Sequence, residues 1–195
     1  MADANAIIRE TFQQTAQLHA TLARSAEAQA QIVRASELMI EAMRSGRKLI
    51  WFGNGGSATQ SQHMAAEFVG RFCKERRSLP SISLTENMAS VTAIGNDYAY
   101  ERIFSRQLEG LGQPGDVAIG LSTSGSSKNV LEGLKVARER GIRTIAFTGA
   151  RGGTMRELCD VCLMVPSTET ARIQEAHLTI GHLLCALVEE ALTGA

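Results

Sequence analysis

Gly53-Asn54-Gly55-Gly56-Ser57, followed by Gln62-His63-Met64-Ala65-Ala66-Glu67, decides how this chain reads. Just upstream, Lys48-Leu49-Ile50-Trp51-Phe52 is an apolar run of strand character, and downstream Ala58 to Phe72 carries apolar residues at helical spacing. The pattern is strand, glycine turn, helix. A glycine turn lets backbone approach a ligand closely and aims the unpaired N–H groups of the helix at an anion. One turn into that helix His63 and Glu67 stand four apart, so both side chains leave one face. An anion cradle therefore lies beside a histidine–carboxylate pair.

Outward from this stretch, strands and helices alternate. Candidate strands are 48–52, 81–84, 116–121, 143–148 and 161–165; candidate helices are 57–73, 87–94, 100–110, 127–140, 153–159 and 169–192. Alternation of this kind implies right-handed crossovers and a parallel sheet, an α/β fold. The runs 116–121 and 143–148 are nearly all apolar, as strands covered by helices on both faces are. Residues 3–45 read as helix, with Ser25 and Glu27 fitting an N-cap and acidic first turn that divide the run in two. The first piece carries the stripe Ile7, Ile8, Phe12, Leu18 and Leu22. That stripe needs a cover: another subunit is expected, the alternative being a helix folded back onto its own sheet.

At 195 residues, 44% apolar and 21% charged, the chain is expected to form one domain with a full-sized core. Zero formal net charge and no basic block argue against nucleic acid. No apolar run approaches the ~20 residues of a membrane span, and the first residues lack the character of a signal peptide; a cytoplasmic protein with no membrane partner is expected. Cys73, Cys159, Cys162 and Cys185 read as free thiols, with the Cys159-x-x-Cys162 pair as buried structural residues.

A second strand end is unusual. Ser122-Thr123-Ser124-Gly125-Ser126-Ser127 follows a buried strand and precedes a helix, and its hydroxyls, N–H groups and helix N-terminus suit a phosphate monoester. A solvated Ser/Gly loop is the plain alternative. Gly53-x-Gly55-x-x-Ala58, with Glu86 further on, fits the dinucleotide fingerprint only loosely, and no Walker lysine follows the glycines. The last helix holds Gln174, Glu175, His177 and His182 among apolar neighbours. His177 reads as a hydrogen-bonded core residue and His182 as functional in dry surroundings. Gln174 and His182 lie ~12 Å apart along a helix axis, so they share one small site only with stretched side chains or across subunits.

Together these strings resemble the phosphoheptose isomerases of the sugar-isomerase (SIS) domain superfamily. They are Gly53 to Ser57, Gln62-His63, Ala66 to Phe72, Ala93 to Tyr98, Ser122 to Gly125, Ala171 to Glu175 and Gly181-His182. The resemblance covers nearly the whole chain. It implies a three-layer SIS sandwich around a five-stranded parallel sheet, a single domain over 1–195, with 1–45 a helical oligomerisation segment and 46–195 the α/β core. It also implies conversion of D-sedoheptulose 7-phosphate to D-glycero-D-manno-heptose 7-phosphate, the first step towards nucleotide-activated heptose, by a homotetramer with intersubunit active sites. By the same resemblance Ser57, Ser122, Thr123, Ser124 and Ser127 hold the phosphate, and Asn54, Gly55, Gly56, Asn96, Asp97, Glu67 and Gln174 line the sugar site. One zinc ion per subunit would be held by His63, Glu67, Gln174 and His182, with Glu67 and His182 the acid–base pair. Related non-catalytic modules that bind a replication initiator lack that glutamate and histidine, which this chain keeps. Two departures stand out: Gln60 where many members have aspartate, and Gly125-Ser126-Ser127-Lys128 where Gly-Asn-Ser is usual.

Overall fold

A computed structural model describes residues 3–194. Five strands, β1 (Leu49–Gly53), β2 (Ser81–Ser83), β3 (Val117–Ser122), β4 (Arg143–Thr148) and β5 (Val161–Met164), form one parallel sheet in the order β2-β1-β3-β4-β5. Seven α-helices surround it: α1 (Ala4–Arg24), α2 (Ala26–Arg44), α3 (Gly56–Val69), α4 (Met88–Asp97), α5 (Ser105–Leu111), α6 (Lys128–Glu139) and α7 (Thr170–Thr193).

Side chains alternate across each strand, so the sheet has two dry faces. Leu49, Trp51, Ile119, Leu121 and Phe147 join Met39, Met64, Phe68, Ile180 and Leu184 of α2, α3 and α7 on one side. Ile50, Phe52, Ala118 and Ala146 join Phe104, just before α5, and Leu108, Val130 and Leu134 of α5 and α6 on the other. The result is the expected three-layer sandwich. The order places β1 and β3 side by side and parallel, with the direction in which successive strands are added reversing there. Open α/β sheets bind ligands at such a switch point, beyond the carboxyl ends of the strands. Both loops singled out in the sequence leave the sheet there.

Local signals set the element boundaries. Ser25 closes α1 and caps α2, its hydroxyl accepting from Ala28 N at 3.1 Å. The helix expected over 57–73 stops at Val69, because the Arg76 guanidinium takes the carbonyls of Glu67, Phe68 and Gly70. The helix expected over 100–110 is a 3-10 turn (Tyr100–Arg102) and then α5, interrupted where Ile103 and Phe104 enter the core. The stretch 153–159 is a 3-10 helix, Gly153–Leu158.

The thiols are free, but only Cys185 is buried. Cys159 and Cys162 are half-buried, a correction to the reading of that pair: Cys162 lies on β5, an edge strand whose alternate residues are only partly covered, and Cys159 lies in the connection before it. A cavity of about 510 Å³ between β5 and the α1–α2 junction has these two cysteines in its wall. From Thr11 onward α1 folds back along α7 and α2, not onto the sheet itself. There Arg172 Nη1 donates to Thr11 O and Thr15 Oγ1, and His19 Nε2 lies 3.0 Å from Thr179 Oγ1. Its first half leaves Ile7, Ile8 and Phe12 uncovered, Phe12 at 72% exposure.

Candidate active site

At the tip of β1 the chain turns through Gly55, whose φ of +55° falls in the region side-chain-bearing residues avoid. Gly56 opens α3 directly under Gln174: a Cβ there would stand 2.5 Å from the Gln174 amide nitrogen. Ser57 is buried in the first turn. Asn54 exchanges paired amide hydrogen bonds with Asn129 of α6, 2.8 Å each way, and accepts from Tyr100 Oη at 3.0 Å. The reciprocal pair ties the two loops across the switch point. Asn129 escaped the sequence reading; its signal was a polar residue continuing the run Ser126-Ser127-Lys128 into the buried face of a helix.

The second loop is a ring of hydroxyls. Ser122 Oγ lies 2.9 Å from Ser127 Oγ and 3.3 Å from Ser124 Oγ, and Ser126 Oγ donates to Ser124 Oγ at 3.1 Å. Ser127 caps α6 through its backbone, leaving its hydroxyl turned to the ring. The Thr123 carbonyl accepts from Gly149 N, which anchors the loop to the end of β4. Hydroxyls and the N-terminus of α6 converge as a phosphate dianion requires.

Beyond these loops α3 and α7 run side by side. Gly181 permits the close approach, since a Cβ there would reach 2.3 Å from Met64 Sδ. His63 Nε2 stands 3.3 Å from Glu67 Oε1 and 3.0 Å from His182 Nε2. The three ligand atoms lie within 4.8 Å of one another, as a group able to hold a metal ion must. Zinc–ligand distances of about 2.0–2.1 Å put tetrahedral ligands about 3.3 Å apart, so two imidazoles and a carboxylate at these spacings fit that ion. Two Nε2 atoms face to face share at most one proton, and a cation satisfies both lone pairs.

The amide of Gln174 is elsewhere. It lies over Gly56, about 10 Å along α3 from His63, while the backbone carbonyl of Gln174 accepts from Gln60 Nε2 at 2.6 Å. Gln60 Oε1 is buried without a partner. Asn96 and Asp97 end α4 exposed, and their side-chain hydrogen bond is with each other at 2.7 Å; Tyr100, three residues on, is what reaches Asn54. His177 is a core residue, 2% exposed, edge-on to Phe147 and 3.2 Å from the Thr148 carbonyl through Nε2. Burial pushes its pKa down to about 4, against a smaller upward pull from that carbonyl. The dry surroundings expected of His182 are not made within one chain. It is half-exposed, next to Leu183 and one turn from Leu187, because α7 runs along the surface there.

Comparison with known proteins decides the family. The SIS domain model matches residues 13–149. The phosphoheptose isomerase of Rhodospirillum rubrum is 55% identical over 150 residues, 77% of this chain and 80% of that protein. The chain belongs to the phosphoheptose isomerase family. The family's Aquifex aeolicus member is 57% identical over 148 residues, 76% of this chain and 78% of that one. Among solved structures, the phosphoheptose isomerase of Neisseria gonorrhoeae superposes with a TM-score of 0.90 at 37% identity, over 96% of this chain and all of the other. That of Francisella tularensis gives 0.92 at 32% identity, over 96% and 99%. The fold is thus that of phosphoheptose isomerases.

Proposed function

We propose that this protein is an aldose–ketose isomerase converting D-sedoheptulose 7-phosphate to D-glycero-D-manno-heptose 7-phosphate, the entry reaction to nucleotide-activated heptose. The observation that carries it is the meeting of Glu67 with His182 and His63 on two helices beside an anion cradle. The family match at more than half identity names the reaction.

The chemistry follows from the groups. Isomerisation takes a proton from C1 of the open-chain ketose, passes through an enediol and returns a proton to C2, while the oxygens exchange theirs. Glu67 removes the carbon proton and His182 moves protons on oxygen or at the neighbouring carbon. Ser57, Ser122, Thr123, Ser124 and Ser127 hold the phosphate at the other end, and Asn54, Gly55, Gly56, Asn96, Asp97 and Gln174 line the sugar. Binding energy won at the remote phosphate orients the reacting carbons, so dephosphorylated substrate should lose turnover as well as affinity. His63, Glu67 and His182 would hold one zinc ion per subunit, with Gln174 as a fourth ligand if its side chain swings from Gly56. When bound, the metal would polarise the carbonyl–hydroxyl pair.

The assembly belongs to the same proposal: a cytoplasmic homotetramer of single-domain chains, residues 1–45 serving oligomerisation and 46–195 forming the core. It is supported by the uncovered Ile7, Ile8 and Phe12 of α1 and by Val69, Leu183 and Leu187 beside the catalytic pair. A neighbouring subunit on the second patch would supply the dry cover His182 lacks. No described helix is long and apolar enough to cross a membrane. The deciding experiment follows sedoheptulose 7-phosphate by product formation, with and without chelator, beside a panel of other ketose phosphates. Turnover of the heptose phosphate is expected; binding without turnover would make this a sensing module, and preference for another ketose would reassign the substrate.

A further inference from the structure

The segment after α3 folds onto α7 around one buried carboxylate. Glu189 Oε1 accepts from Phe72 N at 3.1 Å and Arg76 Nε at 3.0 Å, while Oε2 accepts from Cys73 N and Lys74 N at 2.8 Å each. Burial pushes this carboxyl up. The three N–H groups and the guanidinium outweigh burial and hold it below its ordinary value. The Arg76 and Glu189 side chains are 5% and 3% exposed. A buried ion pair is by itself poor evidence of stabilisation, so its placement is the informative part. Arg76 Nη2 grips the carbonyl of Glu67 at 2.8 Å, and Glu189 lies two turns along the helix that carries His182. Between them Phe72 is delivered to His182, ring centroids 5.6 Å apart and planes 30° from parallel.

We propose that Phe72 is a positioning residue for the isomerisation: its ring fixes the His182 imidazole towards His63 and Glu67, and the Arg76–Glu189 pair holds that ring in place. The inference rests on the isomerase reading above. A half-exposed histidine on a helix has more than one staggered rotamer open to it. A flat ring stacked on one of them selects it, and groups that orient a metal-ligating side chain change metal affinity by roughly 10–100-fold.

Three variants test it: Phe72→Leu removes the flat face, Phe72→Tyr keeps it, and Leu79→Val perturbs the same apolar cluster without touching the stack. Each is measured for Co²⁺ affinity by competition without substrate, for kcat and KM, and for Tm. Phe72→Leu is expected to lose about tenfold in Co²⁺ affinity and about tenfold in kcat with KM little moved, and Phe72→Tyr to restore both. Wild-type affinity and kcat in Phe72→Leu overturn the proposal. So does Leu79→Val reproducing the losses at an equal drop in Tm. A wild-type protein that binds Co²⁺ but never isomerises removes the isomerase reading, while the affinity difference still judges Phe72.

Discussion

His63 Nε2 and His182 Nε2 stand 3.0 Å apart across 119 residues of chain, with Glu67 Oε1 3.3 Å from the first. The contact exists because α3 and α7 share one apolar layer and Gly181 lets them close on Met64. Everything proposed about catalysis depends on this approach.

Glu67→Gln keeps the size and hydrogen-bonding reach of the side chain but removes the proposed base. It should lower kcat by roughly 10²–10⁴-fold with Tm nearly unchanged. Near-normal turnover in a folded Glu67→Gln protein would return the base to another residue.

Ser127→Ala deletes one hydroxyl from the ring without disturbing the backbone cap of α6. A hydrogen bond to a charged group contributes roughly 1.5–3 kcal/mol, so KM for the sugar phosphate should rise by about tenfold or more. Steady-state kinetics with kcat and KM resolved are the check; an unchanged KM places the phosphate elsewhere.

Asn54 and Asn129 satisfy each other's amides, with Asn129 buried. Asn129→Ala should cost about 1–3 kcal/mol in denaturant unfolding, the penalty of a stranded polar partner. The double variant with Asn54→Ala should cost less than the two single losses added together. Strict additivity would show that the pair does not act as a unit.

His177 makes stability depend on acid. Its pKa is lowered from 6.5 to about 4 in the fold. As pH falls below 6.5, the unfolded chain takes up a proton that the folded chain refuses, so stability declines until about pH 4 and this contribution then levels off. The full loss is about 3 kcal/mol. Glu189, whose carboxyl sits below its ordinary value, adds a loss of the same sign at lower pH. Comparing His177→Gln with wild type in urea at neutral and mildly acidic pH isolates the imidazole: wild type should show the steeper decline.

Phe12→Asp places a charge on the uncovered stripe of α1. If that stripe is a subunit contact, the variant should shift to smaller species in sedimentation without loss of helix content. An unchanged assembly would move the contact off α1.

Much was legible locally. The apolar runs that became β1 and β3, the Ser25 division of the N-terminal helices and the four-residue spacing of His63 and Glu67 each depend on neighbours a few positions away. The half-exposure of Cys162 was not legible, since burial there follows from β5 lying at the sheet edge. Nor was the Asn54–Asn129 pair, whose members come from different crossovers.

The letters alone therefore determined the alternation of elements, two anion-suited strand ends and a histidine–carboxylate face, because propensity, capping and periodicity act within a turn or two of chain. Tertiary structure decided that β1 and β3 adjoin, that α7 brings His182 rather than Gln174 to His63, and that Phe72 stacks on that imidazole. Those contacts come from burying both faces of one sheet at once, a condition on the whole chain that no short segment encodes.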